Sequence, residues 1–324
     1  MAIEKYSTLL LRPGQGKRFA VGKILTATNQ AAGWNSGPYP QNTERIIERK
    51  ILVQQAFNTN PPTGLKGLFN GLVSYWKLDD AANGTRLDAW GPNNLTDSLG
   101  NVGQDNSGGI ACTPKPGFVH CAGGFGQTSN NGTRLKITDA AQSGLGLGSG
   151  KSFTCSLWTF GNSGSTTSNV MGKWSQTAGL QDYALFVNQY TGPFWYYSIT
   201  GFDLTNTQRT LDLPGANGGG APSAYRMNAA AWAMIVWGYD DATQTMHLTM
   251  GGVDLTSNYP AFTIPVVGVR KTACDFQIGS IDPVSTRPYW GSIDEVGFWN
   301  RKLTAAEVSQ LWNSGNGLPF GSFS

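Results

Sequence analysis

Charge is scarce in this 324-residue chain: 23 Lys and Arg against 20 Asp and Glu leave a net charge of +3. Nucleic-acid binding needs clustered Lys and Arg, and short pairs such as Lys17–Arg18 and Arg49–Lys50 do not supply a cluster. Cysteine is as sparse. Cys112, Cys121, Cys155 and Cys274 are too few for a disulfide scaffold, and no C-x-x-C pair exists to hold zinc. Cys112 and Cys121 flank a Pro/Gly-containing loop that an oxidising compartment could close into a ring, whereas Cys155 and Cys274 are expected as buried thiols. The two histidines, His120 and His247, lie in no context resembling a triad or metal site. No apolar run approaches the roughly 20 residues of a membrane span. The opening MAIEKYSTLLLR has too short an apolar run for a signal peptide, and Glu4 interrupts it, so synthesis in a cytoplasm is expected.

What is abundant points elsewhere. The 43 Gly, 16 Pro and 11 Trp, with many Asn, Ser and Thr, make poor helix but suit short strands joined by tight turns. The length fits one large all-β domain plus an appendage.

Residues 1–70 read as that appendage. Turn-rich stretches at 12–18 and 33–40 flank a short strand candidate at 19–25. Residues 43–57 suit either a helix capped by Thr43, carrying Ile46, Ile47, Val53 and Phe57, or a strand over 50–53. NPPTG at 60–64 marks a boundary. The expectation is an extended arm that gains structure by docking on other proteins; a small independent subdomain is the alternative. Strands are predicted at 73–78, 134–137, 152–160, 183–188, 194–199, 232–239, 246–250, 274–279 and 291–299. Many short strands in one unit indicate a two-sheet antiparallel sandwich. One short helix follows, with Thr304 and Glu307 as a capping box, Val308, Leu311 and Trp312 as its apolar stripe and Gly315 as its stop.

Three stretches carry a resemblance: LVSYWKLDD (72–80) with DAWGPNNL (88–95), SFTCSLW (152–158), and IGS (278–280) followed by YWGSIDEVGFWNRKLTAAEV (289–308). They resemble the laminin-G-like members of the concanavalin-A-type jelly rolls, the last matching the family's closing strand and capped helix. WAMIVWGYD (232–240) fits the central strand before a hairpin. The resemblance covers about three-quarters of the chain. It implies an all-β jelly-roll domain over 71–317, between the arm at 1–70 and a short tail at 318–324. A fold of this kind hosts carbohydrate binding, adhesion and scaffolding alike.

The resemblance also implies a structural Ca²⁺ held by Asp294 with oxygens from the opening turn, here Asp79, Asp88 and Asn94; a strand-end Asp bonded to backbone N–H groups is the alternative. Asp294 and Glu295 are adjacent on a strand, so alternation should aim them at opposite faces and bar them from acting as a glycosidase pair. No enzyme is expected. Rings near loops at Tyr190, Trp195, Tyr197 and Tyr259 could stack on sugar faces, or equally fill the core and subunit contacts. LPGANGGGAP (213–222) has the glycines of a phosphate cradle without the strand-to-helix context, and reads as a surface loop. A domain of a kind usually found outside cells, on a chain read as leaderless, suggests a bacteriophage virion protein of the capsid or tail. The arm would anchor to other virion proteins, and a homo-oligomeric sandwich would be displayed outward for decoration or weak glycan binding. Neither nucleic acid nor membrane is an expected partner. A cellular carbohydrate-binding adhesin is the alternative, and a polysaccharide-active enzyme ranks last.

Overall fold

The computed structural model describes residues 67–80, 84–97, 102–103, 123–125, 134–161, 168–189, 194–212, 227–228, 231–258, 267–280, 289 and 291–323. The chain divides between Asn60 and Pro61. Residues 1–66 of the arm candidate, Cys112, Cys121, His120 and the glycine-rich loop lie outside the described residues.

Strands β1 (Leu72–Trp76), β2 (Thr96–Asp97), β3 (Val102–Gly103) and β4 (Gly123–Phe125) open the domain. β5 (Leu135–Ile137), β6 (Phe153–Gly161), β7 (Ser168–Trp174) and β8 (Gln181–Gln189) follow. Next come β9 (Phe194–Phe202), β10 (Gln208–Asp212), β11 (Met227–Asn228) and β12 (Trp232–Asp240). β13 (Thr245–Met250), β14 (Val253–Asp254), β15 (Phe276–Ile278) and β16 (Gly291–Trp299) complete the set, with helices α1 (Leu255–Asn258) and α2 (Ala305–Trp312).

They make two antiparallel eight-stranded sheets. The first runs β14-β13-β12-β6-β16-β4-β3 with β1 also on β16; the second runs β10-β9-β8-β7-β15-β5-β2 with β11 on β9. The expected two-sheet sandwich is the fold. Alternation explains it: Phe153, Cys155 and Leu157 of β6, Ile235, Trp237 and Tyr239 of β12, and Tyr183, Leu185 and Val187 of β8 all enter the core between the sheets. Cys155 and Cys274 are buried free thiols, as predicted.

The other face of the first sheet has its own cover. Trp158, Met234, Val236 and Trp299 pack there with Leu303, Leu311 and Phe323. Trp158 stacks on Trp312 at 5.5 Å, and Tyr75 stacks on Phe320 at 4.8 Å. The tail expected after 317 therefore belongs to the domain.

Helix α2 starts as predicted, with the Glu307 N–H donating to Thr304 Oγ1 and the Thr304 N–H donating to Glu307 Oε2. Arg301 adds a bidentate clamp on Glu307 at 2.6 and 2.8 Å. The stop differs: Asn313, in the left-handed conformation, ends the helix two residues before Gly315, because Asn tolerates that conformation almost as Gly does.

Candidate ligand-binding face

Of the predicted calcium donors, Asp88, Asn94 and Asp294 accept backbone N–H groups. Asp88 Oδ1 accepts the N–H groups of Tyr75, Trp90 and Gly91 at 2.9, 3.0 and 2.7 Å, and Oδ2 accepts that of Asn93 at 3.1 Å. Burial pushes this carboxyl up, and the backbone bonds only partly pull it back. Asn94 Oδ1 accepts the Asp88 N–H at 2.9 Å. The opening turn is thus a backbone staple, and Asp294 Oδ1 likewise accepts the Glu295 N–H at 3.0 Å. Among the described residues no group of three or more His, Cys, Asp or Glu could hold a metal. A calcium ion bound at a hundred times its Kd would add ~2.7 kcal/mol of stability. Thermal melts in calcium and in EDTA test the implied site: a calcium-dependent rise of several degrees would show it, and superimposable melts would remove it.

The closing strand also departs from simple alternation. Asp294 pairs with Trp158 but Gly297 with Ser156, so β16 bulges, and Glu295 sits at φ 49°. The alternation argument that separated Asp294 from Glu295 does not hold at a bulge. Burial pushes the Glu295 carboxyl up to about 8; a bond from Tyr75 opposes this, and Asp79 adds to it. Among the described residues Glu295 Oε2 has no hydrogen-bond partner. Alternation along β16 gave no signal for this buried carboxyl.

Of the aromatic candidates, Tyr190 and Tyr259 lie outside the described residues. Trp195 sits on β9 opposite Gln189 and Met227, and its side chain is outside the described set. Tyr197 is a correction. It is fully buried in the inter-sheet core, where its hydroxyl bonds Thr159 Oγ1 at 2.6 Å, so it cannot stack on a ligand. The cause is period-two alternation: Tyr197 shares its face with the core residue Ile199. His247 is buried, which pushes its imidazole down to about 4, so it stays neutral near pH 7.

A different face collects ligand chemistry: the outer side of the second sheet, away from α2. Cross-strand pairs define it. Asn169 lies opposite Phe186, which lies opposite Ser198; Gln277 lies opposite Gly172, then Ala184, Thr200 and Thr210. Phe186, Trp174 and Phe202 form a ring cluster, with Trp174 at 5.7 Å from Phe186 and 5.6 Å from Phe202. Arg270 sits 4.1 Å over the Phe202 ring and donates to the Gln181 carbonyl, fixing that edge. Gly172 (φ +151°) and Ala184 make a low floor between Phe186 and Trp174. A Cβ on Gly172 would stand 2.3 Å from the Tyr183 carbonyl oxygen, so the floor admits no side chain.

The amides on this face are the unusual element. Asn169 is fully buried, yet among the described residues neither its Oδ1 nor its Nδ2 has a hydrogen-bond partner, and Gln277 Oε1 also lacks one. Ser280 Oγ, close by along the same strand pair, is buried and unpartnered too. A buried polar group without a partner costs about 1–3 kcal/mol, and such groups need an explanation. Asn169, Gln277 and Phe186 are buried, so the surfaces this face offers a ligand are the partly exposed rings of Trp174 and Phe202.

No protein-family model matches the sequence, and no curated protein sequence matches it. Solved structures do. The binding domain of Paraclostridial Mosquitocidal Protein 1 superposes with a TM-score of 0.50 at 11% identity, over 76% of this chain and 52% of that one. The botulinum neurotoxin serotype D binding domain gives 0.51 at 10%, over 76% and 51%. A structure of that neurotoxin's ligand binding domain in complex with N-acetylneuraminic acid gives 0.50 at 10%, over 75% and 50%. The chain spans about half the length of these chains. At such identities the shared feature is the fold, a two-sheet β-sandwich of the jelly-roll kind.

Proposed function

We propose that this chain is a non-catalytic glycan-recognition protein displayed on a virus particle, with the sandwich outward and residues 1–70 as its anchor to other virion proteins. The carrying observation is the partly exposed ring pair of Trp174 and Phe202, 5.6 Å apart, on the outer face of the second sheet. Exposed rings stack on sugar C–H faces. The sugar complex of the neurotoxin domain is a property of that protein, and it makes a glycan the first ligand to try. The virion setting draws on the turn-rich composition before residue 71, which suits a docking segment better than a core. A homo-oligomer on a particle would turn weak single-site contacts into avidity.

The test is a glycan array probed with a multimerised full chain. Binding is expected, and Trp174→Ala should weaken it about tenfold, the loss of roughly 1.4 kcal/mol that one ring contact supplies. A blank array would sink the glycan reading. For the anchor, deletion of residues 1–65 should abolish particle association while leaving array binding intact. The second reading is a cellular carbohydrate-binding adhesin, favoured if the same face binds sugars but the protein is absent from purified particles.

A further inference from the structure

Lys173, on β7, has a side chain with no exposure at all. Its Nζ stands 2.6 Å from Asp139 Oδ1 and 3.8 Å from Asp182 Oδ2, and Asp182 is also completely buried. Asp139 belongs to the turn after β5, and β15 separates β5 from β7 in the sheet. The contact therefore bridges two strands that do not pair. Every partner is held in place. The Asp139 N–H donates to Asp275 Oδ1 at 3.0 Å, and Gln142 donates to Asp139 Oδ1. Thr272 donates its hydroxyl to Asp182 Oδ1 at 2.7 Å and its N–H to Oδ2 at 3.2 Å.

We propose that Lys173 and Asp139 condense into an intramolecular amide, an isopeptide cross-link, with Asp182 carrying the proton. The Lys173 ammonium first passes one proton to the Asp139 carboxylate; Nζ, now the free amine, attacks Asp139 Cγ and forms the C–N bond. Asp182 takes the proton released from nitrogen and delivers it to the departing carboxyl oxygen. The C–O bond breaks and one water leaves; nothing is oxidised or reduced. Three features favour this. Fixed neighbours reach effective molarities of about 10⁵–10⁸ M, which replaces the activation that free amines and acids need. Burial holds the Asp182 carboxyl above its usual range, which makes its carboxylate a better acceptor for the proton leaving nitrogen. Condensation also removes the charge of the fully buried Lys173 ammonium, where burying an ion is costly, while Asp139 is 27% exposed. In the described region both cysteines are free thiols, so an amide would be its covalent staple.

Mass spectrometry of the folded full chain, denatured just before measurement, decides it. The expected result is a mass one water below that of the sequence. Trypsin should fail to cut after Lys173, and the peptides holding Lys173 and Asp139 should appear joined. Asp182→Asn, checked for native circular dichroism, should regain the full mass. Lys173→Arg should do so as well. Wild type at full mass with the two peptides separate overturns the proposal, whatever the variants do. A lost water mapped to another site overturns it equally. A cross-link that survives in Asp182→Asn removes Asp182 from the chemistry.

Discussion

Asp88→Ala is expected to lower the free energy of unfolding by about 4 kcal/mol or more, since each buried donor left without an acceptor costs about 1–3 kcal/mol. Four backbone N–H groups, those of Tyr75, Trp90, Gly91 and Asn93, end on this one carboxylate. The turn they form is bolted to β1 elsewhere: Trp76 Nε1 donates to the Asn93 carbonyl at 2.6 Å, Trp90 Nε1 to the Leu72 carbonyl at 2.7 Å, and Asn93 Nδ2 to Ser74 Oγ at 2.7 Å. Loss of Asp88 should loosen all of these together and free β1 from its place on β16. Asp88→Asn retains an acceptor oxygen and should lose about half as much by the same accounting. Urea melts of the three proteins measure both differences. A loss under about 1 kcal/mol for the alanine variant, the scale of one net hydrogen bond, would mean that strand pairing alone holds the turn.

Asp88 also shows what the residues revealed in advance. Its position in DAWGPNNL marked the turn correctly, but one-letter spacing cannot say whether a carboxylate faces an ion or four amides. The strands rich in bulky apolar residues, such as β6, β12 and β16, were legible within a residue or two. β7 was not foreseen. Its sequence SNVMGKW places Asn, Gly and Lys among few apolar residues, and register shifts on both sides of Met171–Lys173 break its alternation. That strand supplies Asn169, the Gly172 floor, Lys173 and Trp174, so the candidate face was hidden with it. The polar strand β10, which brings Thr210 beside Thr200, was missed for the same lack of apolar period. Tyr197 illustrates the opposite error. A ring near a loop in sequence looks available, and only the register with Val187 shows that it points into the core.

Glu295→Gln should change how stability depends on pH. In the unfolded chain this carboxyl has its ordinary value of 4.5, whereas burial at the β16 bulge raises it to about 8 in the folded protein. Between those values the folded state keeps a proton that the unfolded state has released, so the unfolding free energy falls as pH rises, by roughly 1.4 kcal/mol per unit. Below 4.5 both states are protonated and the slope vanishes; above about 8 both are ionised and it vanishes again. Across the window the wild type should lose about 3–5 kcal/mol from this one group. Glutamine is neutral throughout and should lack that loss, so the two proteins should be close in stability near pH 4 and well separated at pH 8.5. The groups that face Glu295 are Tyr75, Asp79 and Lys77, and Asp79 pushes in the same direction as burial. The consequence reaches beyond one side chain, because Tyr75 is the ring against which Phe320 and Phe323 pack. Ionised Glu295 beneath it should loosen the C-terminal cover of the first sheet before the sandwich itself opens. Amide exchange at Phe323, whose N–H donates to the Phe320 carbonyl, should then quicken between pH 7 and 9 beyond the intrinsic rise in the wild type and not in the glutamine variant. Identical pH–stability curves for the two proteins would show that Glu295 is ionised in the fold at neutral pH.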